Sequence, residues 1–268
     1  MSIDLFIFCS ITLGAGALVG MLGGLLGIGG GLVLVPVLFE LIQQLGADEV
    51  TAVRSAIATS LATVIFTGLR SSLSHHRRGS LDITLVAVWA PAIVMGALIG
   101  AEFANRIDTT LLITFFALMT ALLAANMAFG RSEWRAGDES PGRMSRLLGG
   151  GFVGFSSAML GVGVAGLGVP LMTLFSVPVR HAVAAASLLG AVAAAPATLR
   201  FIIGGWGSAD LAPWSLGYVN MLGFVLIVSM TMITTPLGVA LSHRYSQVIL
   251  KRVFATFLAV NAVRLLVF

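Results

Sequence analysis

The stretch GMLGGLLGIGGGLVLVP, residues 20–36, decides how this chain is built, because it returns as GFSSAMLGVGVAGLGVP at residues 154–170. Gly20, Gly27, Gly29 and Pro36 each recur 134 residues later, as Gly154, Gly161, Gly163 and Pro170. Glycine is costly inside a helix and useful where the backbone must turn tightly or come close to a ligand. Both copies interrupt strongly apolar sequence. The pattern predicts two broken helices in a membrane, one in each half of the chain.

Composition sets the solvent. Of the 268 residues, 58% are hydrophobic and 10% charged, against about 25% charged in a soluble domain. The chain therefore reads as an integral membrane protein. Its 15 basic residues lie in short gaps between apolar runs rather than in a patch or arm, so nucleic acid is not an expected partner. The opening residues MSIDLFIFCS carry no basic region and no obvious cleavage site, and do not read as a signal peptide. The single Cys9 allows no intrachain disulfide and no cysteine-based metal cage. No cofactor is expected.

A membrane-crossing helix needs about 20 apolar residues. The runs 54–74, 83–104 and 109–129 qualify in the first half, and 180–203, 213–242 and 246–268 in the second. None alternates as a barrel strand must. The pieces around the breaks are 5–27 with 31–46, and 147–161 with 166–176. The last of these, at 1.5 Å per residue, covers only about half a bilayer. A polar linker, 131–146, separates a first repeat (1–130) from a second (147–268).

If each broken pair begins and ends on one side, the gaps 75–81, 130–146, 176–180 and 242–252 share a side. They hold ten of the 15 basic residues: Arg77, Arg78, Arg131, Arg135, Arg143, Arg146, Arg180, Arg244, Lys251 and Arg252. The positive-inside rule makes that side cytoplasmic and puts both termini outside. One half then begins outside and the other inside. The expected fold is an all-α integral membrane protein of two inverted-topology repeats, about five helical segments each, with glycine-broken or re-entrant helices. Weaker matches extend the repeat: Gly100–Arg106 with Gly238–Arg244, Phe116-Ala117 with Phe254-Ala255, Gly79–Asp82 with Gly207–Asp210, and Thr59-Ser60-Leu61 with Ala186-Ser187-Leu188.

A helix N-terminus carries unpaired N–H groups and a partial positive charge. The helices expected to start near Gly31 and Ala165 would present two such ends near the bilayer midplane, able to cradle one small anion. That makes Gly29, Gly30, Gly31, Gly163, Val164, Ala165 and Gly166 candidate substrate-binding positions. Close helix packing is the competing explanation for the glycines, as the spacing of Gly16, Gly20 and Gly24 and of Gly96 and Gly100 illustrates. On this reading Gly31→Leu should stop transport while leaving insertion intact. The pattern Gly161-Val-Gly163-Val-Ala-Gly166 imitates a dinucleotide fingerprint, but no strand pattern precedes it. The next acidic residue is Asp210, where the fingerprint expects one about 20 residues on.

The paired segments LLGIGGGLVLVP (25–36) and MLGVGVAGLGVP (159–170), each followed by a helix with a small-residue–Ser–Leu step (Thr59-Ser60-Leu61; Ser187-Leu188), resemble the TauE/SafE family of sulfite exporter-like permeases. The resemblance covers nearly the whole chain. The second copy departs from the Gly29–Gly31 run at Val164 and Ala165. The resemblance implies transport of small sulfur-containing anions, such as sulfite or organosulfonates, across the bacterial plasma membrane.

Other polar residues carry two readings each. Arg70 and Arg200 sit inside apolar segments, where an ionisable residue is a site candidate and a guanidinium suits an oxyanion; snorkelling to the headgroups is the alternative. Thr59, Ser60 and Ser187 are hydrogen-bond donors for an anion or for neighbouring helices. Asp82 and Asp210 read as helix N-caps, with proton coupling as the lesser alternative. Glu40 and Glu102 read as interfacial. His75-His76-Arg77-Arg78 reads as a loop facing anionic lipid, a poor metal site for want of carboxylate or thiolate partners. Pro91, Pro196 and Pro236 should kink their helices.

Three functions compete. A secondary carrier would rock one repeat against the other around the breaks, driven by an ion or substrate gradient and possible proton coupling. An anion channel would use the same helix ends without alternating access. An intramembrane hydrolase would have to use Ser156 or Ser157 with His181 or His243, but Gly-Phe-Ser-Ser is not a nucleophile elbow. The carrier is the leading expectation, and no enzyme activity is expected.

Overall fold

The computed structural model describes residues 3–26, 30–129, 142–208, 210–242, 255–256 and 258–262. It is almost entirely helical. In the first half α1 (Ile3–Leu26) and α2 (Gly31–Gln44) flank the first break, followed by α3 (Glu49–Arg77), α4 (Ile83–Arg106) and α5 (Thr109–Phe129). In the second, α6 (Arg143–Leu160) and α7 (Ala165–Leu174) flank the other break, followed by α8 (Val179–Gly204), a two-stranded hairpin of β1 (Ser215–Leu216) and β2 (Val219–Asn220), and α9 (Met221–Ser242). Residues 255–256 and 258–262 are helical. Most of the linker and of the final apolar run, with Arg131, Arg135, Arg244, Lys251 and Arg252, lies outside the described residues.

Five described helices are long and apolar enough to cross a bilayer: Leu5–Gly23 within α1, α3, α4, Thr109–Ala128 within α5, and α8. The new helices after the breaks start at Gly31 and Ala165, as the sequence predicts. At 14 and 10 residues, α2 and α7 are about 21 and 15 Å long, too short to span alone.

Two helices form the centre. The apolar windows of α3 and α8 are 72% and 67% buried, against 33–39% for α1, α4 and α5. Small side chains make the core: Ala52, Ala56 and Ala58 on α3, and Ala182, Ala185, Ala193 and Ala197 on α8, are all buried. In lipid, where apolar side chains gain little by leaving the solvent, such positions let backbones approach and dispersion contacts accumulate. The two central helices run antiparallel, for Ser71 late in α3 meets Ser187 early in α8, while Tyr218 joins Arg54 early in α3 to Phe201 late in α8.

Two outer pairs run parallel and nearly backbone to backbone. A Cβ on Gly16 of α1 would stand 3.0 Å from Ile227 Cα of α9, and one on Gly20 2.7 Å from Thr231 Cα. Likewise Gly150 of α6 meets Ala92 of α4, and a Cβ on Gly154 would stand 2.7 Å from the Ile93 carbonyl carbon. Gly223 at the start of α9 touches both Phe8 of α1 and Leu38 of α2, so α1 and α2 begin and end at that same end of the bundle. At the other end Trp89 early in α4 packs on Phe175 after α7, with ring centroids 6.3 Å apart, and Gly149 of α6 faces Leu171 of α7.

The run expected as a helix from 213 starts only at Met221. Trp214 and Gly217 both take positive φ, 59° and 54°, which turns residues 213–220 into the hairpin. Asp82 caps α4, accepting from Thr84 N at 2.8 Å and Leu85 N at 3.2 Å. Asp210 caps no helix among the described residues: it is exposed, eleven residues ahead of α9. That role passes to Asn220. Its Oδ1 accepts from Gly223 N at 2.8 Å, its Nδ2 donates to Pro213 O at 3.1 Å, and its own N–H donates to Thr59 Oγ1 at 2.9 Å. Asn220→Ala removes the first two bonds at a fully buried position, and should lower stability by about 2 kcal/mol. A thermal unfolding midpoint in detergent unchanged from wild type would refute this.

Candidate substrate site at the two breaks

α6 ends in a Schellman motif. Gly161, at φ +66°, donates to Ala158 O at 3.3 Å, and Val162 N donates to Ser157 O at 3.0 Å. Only glycine adopts that conformation without strain. The freed Gly161 carbonyl accepts from Ser60 Oγ of α3 at 2.6 Å. The first turn of α2 sits on the same spot: a Cβ on Gly31 would overlap Gly161 O and stand 2.8 Å from Val162 Cα. The two breaks therefore touch, with Ser60 pinning them together.

Both new helices start without a capping side chain. In α2 the Gly30 carbonyl accepts from Val33 N and Leu34 N at 3.0 and 3.1 Å. In α7 the Val164 carbonyl accepts from Gly168 N at 2.7 Å, and the N–H groups of Ala165 and Gly166 meet no acceptor among the described residues. Such groups need water or a ligand inside a membrane.

Beside this junction lies a cavity of about 50 Å³, room for about four water molecules at 10–15 Å³ each. Gly30 comes to its wall from the first break, and Gly163, Val164 and Ala165 from the second. α3 contributes Val64, Thr67, Gly68 and Ser71, and α8 contributes Ala186, Ser187 and Gly190; Val19, Gly20 and Gly23 of α1 and Thr235 of α9 also line it. Among the described residues no ionisable side chain lines it. Ser187 Oγ donates to Val183 O at 2.9 Å and lies 3.2 Å from Ser71 Oγ. With its proton so used, Ser187 accepts from Ser71. Thr67 donates to Thr63 O at 3.0 Å. Ser71 and Thr67 keep their rotatable hydroxyls and can turn them to an anion instead.

Of the residues singled out from sequence, Gly30, Gly163, Val164, Ala165 and Ser187 stand together on this wall. Gly31 stands at the contact between the breaks, and Ser60 bonds the Gly161 carbonyl. Gly166 faces Leu123 of α5, Thr59 holds Asn220, and Gly29 lies outside the described residues. Arg70 is exposed near the end of α3 and does not line the cavity. Arg200 is tied by its Nε to Glu102, which also pairs with Arg106, and its carbonyl accepts from Asn105 Nδ2 at 3.3 Å. Glu102 is thus a bridge between two arginines as well as an interfacial residue.

Thr67, Gly68 and Ser71 escaped sequence reading. A signal existed: Ser60, Thr63, Thr67 and Ser71 follow helical spacing, marking one hydroxyl-bearing stripe along α3. At the far end of α3, Arg54 ties the helix to its neighbours. Arg54 donates to Ile107 O at 3.2 Å and to Tyr218 Oη at 3.5 Å, its guanidinium 6.0 Å from that ring's centre.

A family model described as "Sulfite exporter TauE/SafE" matches residues 12–265. A "probable membrane transporter protein" of Haemophilus influenzae is 31% identical over 261 residues, covering 97% of this chain and 99% of its own. A probable membrane transporter protein of Methanocaldococcus jannaschii is 27% identical over 258 residues, covering 91% of this chain and 90% of its own. No solved structure matches the chain.

Proposed function

This chain belongs to the sulfite exporter TauE/SafE family, and from that premise we propose that it is a secondary carrier of small sulfur-containing anions, of the sulfite or organosulfonate class. The family and its relatives' names mark a membrane transporter rather than an enzyme. The observation that carries the finer reading is the cavity at the meeting point of the two breaks. It is small, no ionisable side chain lines it among the described residues, and the groups it offers are hydroxyls and the N–H ends of a new helix. Such a surface binds an oxyanion through donors and helix partial charges.

Alternating access between inverted-topology repeats is supported by the packing. α3 and α8, the corresponding helices of the two halves, are antiparallel. The contact of Gly20 with Thr231 corresponds to that of Gly154 with Ile93, under the same sequence pairings that match Gly20 to Gly154 and Gly100 to Gly238. Arg54, Tyr218 and Asn220 tie one end of α3 to its neighbours while the cavity lies toward the opposite end, which supports a carrier over a continuous channel. The positive-inside rule puts the cavity end, with Arg77, Arg78, Arg143, Arg146 and Arg180, in the cytoplasm of a bacterial inner membrane.

The test is reconstitution in liposomes with sulfite, sulfate, thiosulfate and short sulfonates, with and without a pH gradient. Saturable uptake and counterflow of at least one sulfur oxyanion is the expected result. Large single-channel currents, or no flux of any of them, would sink the proposal. Ser71→Ala combined with Ser187→Ala should raise KM for the transported anion by about tenfold while sparing expression, the scale of one or two lost hydrogen bonds. An unchanged KM would take both hydroxyls out of the site.

A further inference from the structure

We infer that the buried hydroxyls of Ser60, Thr63, Ser157 and Thr198 would line a second form of the substrate cavity, collapsed in this state, which opens toward the opposite end of the bundle and takes the same small oxyanion. The inference rests on the opposed-repeat reading above. In the open cavity Ser71 of α3 faces Ser187 of α8, and a Cβ on Gly68 would stand 3.1 Å from Ala191. Moving eleven residues back along α3 and eleven forward along the antiparallel α8 sets Ser60 level with Thr198. Ser187 follows Ser60 by 127 residues, and Thr198 follows Ser71 by the same 127. Exchanging the halves therefore carries the Ser71–Ser187 pair onto Thr198–Ser60. The same exchange carries Gly190 onto Thr63, and Gly23 onto Ser157 at the spacing of the glycine breaks, 134.

All four residues of this second set bear hydroxyls, and all are buried: Ser60 0%, Thr63 1%, Ser157 5% and Thr198 5% exposed. Thr198 Oγ1 is buried with no hydrogen-bond partner among the described residues. An orphaned hydroxyl in a dry helix core costs stability that valine or alanine would not. Thr198 acquires a use in a state where this seam parts and the hydroxyl meets water or the anion. Ser60, whose Oγ now holds the Gly161 carbonyl, would be released in that state, just as Ser187 is reachable in this one. Two alternative cavities sharing one pair of breaks are what alternating access requires.

The native Cys9 can be replaced by serine to give a background without thiols. In it, Ser71→Cys and Thr198→Cys are labelled with a membrane-impermeant maleimide from each face of oriented proteoliposomes. Ser71→Cys is expected to react from the face bearing His75–Arg78, and Thr198→Cys from the other. Oxidising a Ser71→Cys/Ser187→Cys bridge, which fixes the pair at its present close spacing and so holds the present state, should lower Thr198→Cys labelling by about tenfold or more, reversibly on reduction, as expected for a shifted two-state equilibrium. Thr198→Cys that stays inert from both faces, bridged or not, overturns the inference and leaves the carrier reading standing. Labelling of both positions from one face overturns the opposed-repeat reading itself. Independently, Thr198→Val should melt at or above the wild-type temperature while sulfite uptake falls about tenfold or more. A variant equally stable with undiminished uptake would also overturn the inference.

Discussion

Replacing Gly31 by leucine is expected to abolish transport and to lower stability by about 3–5 kcal/mol, well beyond an ordinary surface change. The reason is backbone against backbone. The new Cβ would overlap the Gly161 carbonyl oxygen and stand 2.8 Å from Val162 Cα and 3.0 Å from Ser60 Oγ. None of these is the free end of a long side chain. To admit it, α2 must slide off the second break, and the bond from Ser60 Oγ to Gly161 O is lost with it. Sequence alone predicts lost transport with normal insertion. The structure adds a stability loss, because the residue that starts α2 is also the contact between the two breaks. Gly14, with nothing within 4 Å of its Cβ position, is the control. Gly14→Ala should leave both properties intact or gain about 1 kcal/mol of helix propensity. Uptake and melting temperature measured on the same preparation decide the matter: Gly31→Leu with wild-type values for both would refute the junction.

Gly154→Val is expected to be the more damaging to the fold. Its Cβ would overlap the Ile93 carbonyl oxygen and stand 2.7 Å from the carbonyl carbon, so α6 and α4 must separate over their whole crossing. Gly96 and Gly100 of α4 make the reciprocal contacts with Gly151 and Phe155 of α6. A helix pair held by close backbone approach loses most of its dispersion contacts with a gap of about 1 Å. Loss of about 3 kcal/mol or more is expected, with aggregation or failed accumulation in the membrane as the readout. Gly151→Ala tests the specificity of the claim. At Gly151 the nearest heavy atom to a Cβ is Ala92 O at 3.9 Å, an ordinary contact. Gly151→Ala should accumulate normally, and equal damage from both substitutions would show that the crossing is not what fails.

These glycines do not share one place in the fold. Gly154 holds helices together, Gly161 ends a helix and forms the junction, and Gly163 lines the cavity. A sequence motif does not distinguish these roles, since each asks for the same missing side chain. The arginines show the same limit from the other direction. Arg200 inside an apolar run reads as either a ligand or a snorkelling side chain, and the partner that occupies it, Glu102, is nearly a hundred residues away.

The sequence by itself determined the solvent, the helices and the repeat. Apolar runs of membrane-spanning length, glycine breaks that no continuous helix tolerates cheaply, and restart points at Gly31 and Ala165 are local properties, written in consecutive residues. The helix boundary at Met221 was lost because an apolar run looks alike whether or not Trp214 and Gly217 fold it into a hairpin. Only the tertiary structure decided which small and hydroxyl-bearing residues meet: that Ser60 of the first half holds Gly161 of the second, that Ser71 faces Ser187, and that Thr198 is left without a partner. Those pairings depend on the direction and register of α3 against α8. Register between two helices is fixed by the packing of both surfaces at once, and no single stretch of sequence contains it.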